Sequence, residues 1–198
     1  MRAVFASWIA AVVFAAPLSA AAPARPSAEP LSPERVRAAL ELGSKGEGDL
    51  DGYLLKTEPT WTVHFDTPFL RVAQLARGWK KRGREIKESD VPAALIAPEV
   101  HVYAQAVQQP GVTETPRNIE HLVLHRPGST ETIPPVSIQT NLNRARTRSD
   151  IQPAKIAQSA EAVFSQADFQ PGTELRIQFG DRSWESVVLT RAALESGR

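Results

Sequence analysis

The chain has 198 residues, with 23 Lys and Arg against 22 Asp and Glu and a formal net charge of +1, so overall charge argues for neither nucleic acid nor an anionic membrane as partner. It contains no cysteine, which excludes a disulfide-stapled miniprotein, a thiol nucleophile and a lipid-bearing cysteine. Its length suffices for one ordinary domain whose core needs neither disulfides nor a structural metal.

Met1-Arg2 is followed by the apolar run Ala3 to Ala16 and then by Pro17-Leu18-Ser19-Ala20-Ala21-Ala22. A charged start, a hydrophobic stretch and a small-residue zone read as an export signal over residues 1–22. The run is about 14 residues long, whereas spanning a bilayer takes roughly 20, so cleavage is expected and the product is expected to be secreted or periplasmic. No other segment is long and apolar enough to cross a membrane. Residues 23–31 are rich in proline and alanine without periodicity, the composition of a disordered leader.

Residues 32–97 read as a mixed helical and strand segment. Ser32, Pro33 and Glu34 suit a helix start, Val36, Ala39 and Leu40 form its apolar stripe, and Gly43 is the expected stop. From Glu47 to Glu58 the chain carries carboxylates at alternate positions, Glu47, Asp49 and Asp51, then Gly52, and Glu58 twelfth in the run. This spacing resembles the calcium loop of the EF-hand family, and the resemblance covers those 12 residues alone. It implies a calcium site with Glu47, Asp49, Asp51 and Glu58 as ligands. Glu47 stands where aspartate is usual and Pro59 leads into a strand, so the other reading is a solvated acidic loop. Apart from calcium, no cofactor is expected.

Thr60 to Phe65 alternates, with Trp61, Val63 and Phe65 on one face of a strand and Thr62 and His64 on the other. Asp66-Thr67-Pro68 repeats the helix-start chemistry, and Phe69, Val72, Ala73, Ala76 and Trp79 follow at helical spacing toward an end near Gly83. A shorter helix is expected from Ser89-Asp90-Val91-Pro92, stopped by Pro98. Beyond Pro98 the texture changes to strands at Glu99 to Val107, Ile119 to His125, Val136 to Asn141, Leu175 to Phe179 and Trp184 to Thr190, separated by Pro, Gly, Asn and Asp. Residues 156–167 fit helix and strand equally. At Gly180-Asp181 a two-residue hairpin loop is expected, which would pair Phe179 with Arg182, Ile177 with Trp184 and Arg176 with Glu185. The fold class is therefore mainly β, α+β overall. We expect an immunoglobulin-like antiparallel β-sandwich over 98–192, with N-terminal helices packed against it and a short tail at 193–198. A five-stranded barrel capped by helices satisfies much of the same pattern.

Two basic groups stand out. Arg71, Arg77, Lys80, Lys81, Arg82, Arg84 and Lys87 surround Trp79, and Arg144, Arg146 and Arg148 alternate as one face of a strand would. Either set is a candidate surface for an anionic partner, and each is also readable as ordinary solvated charge. His121 and His125 lie four apart, about 13 Å on a strand, which does not suit a shared metal. The chain has neither a G-x-S-x-G nor an S-x-x-K motif. These features favour an exported, non-catalytic binding module whose partner is a protein or an envelope polymer. The alternatives are a small secreted hydrolase using Asp49, Asp51 and Asp66 near His64, and a binder of anionic glycan or lipid.

Overall fold

The computed structural model describes residues 29–46, 53–58, 60–108, 117–140 and 155–196. Helix α1 spans Pro33–Lys45, with Pro33 in its first turn. Strands β1 (Tyr53–Glu58) and β2 (Trp61–Asp66) form a hairpin. Helix α2 covers Pro68–Lys81, and its cap Thr67 accepts the Leu70 N–H at 3.3 Å, as the Asp66-Thr67-Pro68 pattern predicts. A 3₁₀ turn at Glu88–Asp90 and the single turn α3 (Ala93–Ile96) lead to β3 (Glu99–Gln108). Strands β4 (Ile119–His125), β5 (Thr132–Ile133), β6 (Ser137–Gln139), β7 (Lys155–Ser165), β8 (Glu174–Phe179) and β9 (Trp184–Val188) follow, and α4 (Arg191–Ser196) comes last.

The protein is thus mixed α+β and mostly strand, built on two antiparallel sheets ordered β1-β2-β3-β7-β6 and β5-β4-β8-β9. Alternation explains why they pack face to face. Trp61, Val63, Phe65, Val102, Ala162 and Phe164 project from the first sheet into the same core as Leu122, Leu124, Leu175, Ile177 and Phe179 from the second. Trp61 meets Phe179 with ring centroids 6.0 Å apart, and Phe169 lies 5.8 Å from Phe65 and 5.9 Å from Phe164. The helices keep a smaller core of their own, in which Val36, Ala39 and Leu40 of α1 pack on Leu70, Val72, Ala73 and Ala76 of α2. No helix among the described residues is long and apolar enough to cross a membrane.

Three local expectations change. Gly43 does not stop α1, which runs to Lys45 and ends at Gly46 in the left-handed region, φ 70°. Gly43 is instead buried where the two helices come together, because a Cβ there would run into the Ala73 carbonyl and lie 2.8 Å from Ala76 Cβ. The ambiguous 156–167 segment is strand β7, followed by a 3₁₀ turn at Gln166–Asp168. Ala160, Ala162 and Phe164 are its core-facing positions.

The third change concerns the β8–β9 hairpin, which is one residue out of the expected register. Gln178 pairs with Trp184, Ile177 with Glu185 and Arg176 with Ser186. The loop is Gly180-Asp181-Arg182, closed by the Phe179 N–H donating to the Ser183 carbonyl at 3.0 Å, with Arg182 at φ 65°. The Asp181 carboxylate accepts the Ser183 N–H at 2.9 Å as well as its hydroxyl, which holds the wider loop. One residue of register exchanges the faces. Val187 and Leu189 therefore join the core, and Trp184 turns to solvent.

Candidate functional site

Two surfaces concentrate the chemistry. The first is the outer face of the β1-β2-β3-β7-β6 sheet beside α2. Thr67 sets the start of that helix so that Arg71, in its first turn, points at the end of β3. Arg71 is only 8% exposed. One of its terminal nitrogens, Nη2, donates to the carbonyls of Ala97 (3.1 Å) and Glu99 (3.0 Å). The other, Nη1, donates to the Ala94 carbonyl (3.3 Å) and to His101 Nε2 (2.8 Å). A guanidinium only donates, so His101 Nε2 accepts and the ring proton sits on Nδ1, which donates to Glu161 Oε1 at 2.9 Å. Both imidazole nitrogens are thereby engaged. Burial pulls the Arg71 pKa below its ordinary value, against the opposing pull of Glu99, Tyr103 and Asp66.

Register extends this network sideways. His64 on β2 faces Tyr103 on β3, and Tyr103 faces Glu161 on β7. The His64 and Tyr103 rings stack at 5.2 Å and 20°. Burial, then the charge of Glu161 and Asp66, and then a hydrogen bond to Glu161 push the Tyr103 hydroxyl up from 10.0 to about 12. Because the folded protein holds that proton more tightly, the stability Tyr103 confers is complete below pH 10 and is lost as the pH rises through 12. Absorbance titration of tyrosinate should show Tyr103 ionising with alkaline unfolding, and the Tyr103→Phe protein should lose that coupling. An ordinary phenol titration near pH 10 for Tyr103 in the folded protein would contradict the partly buried contact with Glu161.

The second surface is the outer face of the β5-β4-β8-β9 sheet. Register lines up His121 with Gln178 and Trp184, Val123 with Arg176 and Ser186, and His125 with Glu174 and Val188. Arg176 and Glu174 pair at 3.0 Å in the middle of this face. β9 is the edge strand, and Trp184 and Val188 on it are 49% and 51% exposed.

The residues singled out in the sequence are distributed as follows. Glu47, Asp49, Asp51, Arg144, Arg146 and Arg148 lie outside the described residues. Glu58, the fourth expected calcium ligand, accepts Lys56 Nζ at 2.8 Å. Asp66 is buried and accepts from Gln74 Nε2 at 3.2 Å. Arg71 leaves the basic cluster for the interior, because the α3–β3 connection surrounds it with carbonyls. Arg77, Lys80 and Lys81 instead join Lys45 around a cleft of about 420 Å³, and Arg82, Arg84 and Lys87 are exposed.

A larger cleft, about 910 Å³, lies at the seam of the two cores between Phe69, Phe169 and Leu194, and neither Asp66 nor His64 lines it. Among the described residues no three His, Asp or Glu side chains come together as metal ligands. Sequence reasoning missed the Arg71–His101–Glu161 set. His101 falls in an expected strand, but Glu161 lies in the segment that fits helix and strand equally, and only the β3–β7 pairing makes the two neighbours. Comparison of the chain with protein-family models, with curated proteins and with solved structures finds no match, so the functional reading rests on these residues and their geometry.

Proposed function

We propose that the chain is an exported, non-catalytic binding module of the cell envelope or extracellular space that meets its partner on the outer face and β9 edge of the β5-β4-β8-β9 sheet. One observation carries the reading: Trp184 and Val188 stand half-exposed on the outward face of an edge strand. Edge strands in self-contained proteins are usually protected by charge, proline or a covering element. An exposed tryptophan flanked by polar, hydrogen-bonding side chains is the composition of a binding hot spot with its rim.

An immunoglobulin-like sandwich is part of the proposal. It is supported by strand order, since β2-β3-β7-β6 against β5-β4-β8-β9 follows the arrangement A-B-E-D against C′-C-F-G. Export is supported by the leader pattern of residues 1–22. The hydrolase alternative, built on Asp49, Asp51 and Asp66 near His64, is less well supported, because Asp66 is buried and accepts from Gln74, the His64 ring stacks on Tyr103, and neither of the two lines the larger cleft.

The test is in-cell crosslinking followed by purification of the protein with its adducts. Trp184→Ala should leave stability within about 0.5 kcal/mol, as exposed substitutions do, yet remove the crosslinked partner. If the variant keeps its adducts, or the wild-type protein forms none, the sheet-face reading falls.

A further inference from the structure

We propose that β9 is a self-association edge, on which two copies of the chain pair their β9 strands antiparallel about a two-fold axis at Ser186 and join their four-stranded sheets into one continuous sheet. This rests on the reading of the β9 edge as the partner-binding surface, and it names the partner as a second copy.

The phase of the β8–β9 ladder fixes what the edge presents. Leu189 N–H donates to the Thr173 carbonyl at 2.8 Å, and Phe179 N–H donates to the Ser183 carbonyl at 3.0 Å. Bonding alternates from residue to residue in an antiparallel pair, so positions 183, 185, 187 and 189 turn their main-chain groups toward β8. Trp184, Ser186 and Val188 turn theirs to the open side, where β9 has no neighbouring strand among the described residues. Edge strands that must stay single are guarded by lysine, proline or a bulge. The β9 sequence Trp-Glu-Ser-Val-Val has neither lysine nor proline, and it pairs with β8 without a bulge. Its one charge, Glu185, is already held by Arg117 Nη2.

The pattern along the strand chooses the occupant. Trp184 and Val188 lie symmetrically about Ser186, both half-exposed and both on the outer face. An antiparallel copy centred on Ser186 sets each Trp184 opposite Val188 of the second copy. One register then closes three hydrogen-bonded pairs, about six main-chain bonds, together with two aromatic–β-branched pairs. No like charges oppose one another in it. Single exposed apolar residues are ordinary, but a two-fold contact requires a surface that complements itself, and an unrelated strand would not require this symmetry. Size sets the strength: an edge of five residues covers less than the roughly 1,200 Å² of a standard interface. The dimer is therefore reversible, with a dissociation constant on the order of 10 μM.

The test is sedimentation equilibrium of the purified protein between about 1 and 100 μM. The wild type should pass from monomer to dimer across that range. Trp184→Ala should weaken the dimer about thirty-fold, since each copy loses its ring. Ser186→Pro removes an N–H that β8 does not use, at a position where an edge strand tolerates proline. It should keep the wild-type circular dichroism spectrum and stay monomeric throughout. Should Ser186→Pro fail to fold, Ser186→Cys decides the matter: residues paired across such an axis have Cα atoms about 5.5 Å apart, within disulfide reach. The chain has no cysteine of its own, so Ser186→Cys should cross-link to a dimer under mild oxidation, and Thr130→Cys, exposed between β4 and β5, should not. A wild type that stays monomeric, a Ser186→Pro dimer as tight as the wild type, or equal cross-linking by the two cysteine variants would each overturn the proposal. A monomer that keeps Trp184-dependent adducts would leave the sheet-face reading standing with a partner other than this chain; a monomer without adducts would remove both.

Discussion

Replacing Arg71 with alanine is expected to lower the unfolding free energy by about 3 kcal/mol, within the range for breaking a buried charged cluster. The substitution strips donors from the carbonyls of Ala94, Ala97 and Glu99 and from His101 Nε2 in one step. Those carbonyls lie in the connection that turns the chain from α3 into β3, so the loss also loosens the seat of α2 on the sheet. One term opposes it: Arg71 Nε is buried without a hydrogen-bond partner, and removing the guanidinium recovers that cost. This is why the expectation stays near 3 rather than 5 kcal/mol. Arg71→Lys keeps the charge but not the planar fork that reaches carbonyls on two sides, so it should lose about half as much. Urea unfolding at neutral pH with unchanged m-value measures both. A loss below about 1 kcal/mol for the alanine variant would mean that the cluster is decorative.

The second large effect is expected at Gly43. In an exposed helix, glycine to alanine is a gain of about 1 kcal/mol. Here the added methyl meets the Ala73 backbone carbonyl and lies 2.8 Å from Ala76 Cβ, and backbone cannot swing aside as a side-chain tip can. The helices must part, opening the packing of Val36 and Leu40 on Val72 and Ala73. Overpacking of this kind usually costs 1–3 kcal/mol, and the net loss for Gly43→Ala should be about 2 kcal/mol after the propensity gain. Gly46→Ala is the matched control. Its added methyl would meet nothing within 4 Å, so only the strain of φ 70° remains, about 1 kcal/mol. Thermal melts should rank Gly43→Ala below Gly46→Ala and both below the wild type; the reverse order would show that the helices have room to spare.

Gly43 also shows where reading a sequence stops. A glycine after an apolar stripe looks the same whether it ends a helix or admits a neighbouring one, and only the partner helix distinguishes the two. Strand β1 was missed for a related reason. A bulge between Leu54 and Lys56 breaks its pairing with β2, leaving Leu54 exposed and Leu55 against the core, so the alternation that revealed β2 is absent. In the β8–β9 hairpin the local pairings expected from a two-residue loop were chemically sensible. Burial of Val187 and Leu189 with the core, and the Asp181–Ser183 bonds in the loop, select the three-residue alternative. The basic cluster was legible as a group of charges, but not the fact that Arg71 leaves it for the interior.

What the sequence by itself determined are properties carried by neighbours along the chain. These are the start of α1 at Ser32-Pro33 and of α2 at the Thr67 cap, the faces of β2 from alternation, the places of β3, β4 and β8 along the chain, and the predominance of strand after Pro98. Tertiary structure alone decided everything that depends on which elements adjoin. It joined β3 to β2 on one side and β7 on the other, so that residues as far apart as Arg71, His101 and Glu161 form one hydrogen-bonded set. It turned Trp184 outward by one residue of register, and it brought two helix ends together so that Lys45 faces Lys80 and Lys81. The physical reason is common to all of these. Periodicity and capping are set by interactions within a few residues, whereas a site is set by packing between segments far apart in sequence, and local pattern does not encode which segments those are.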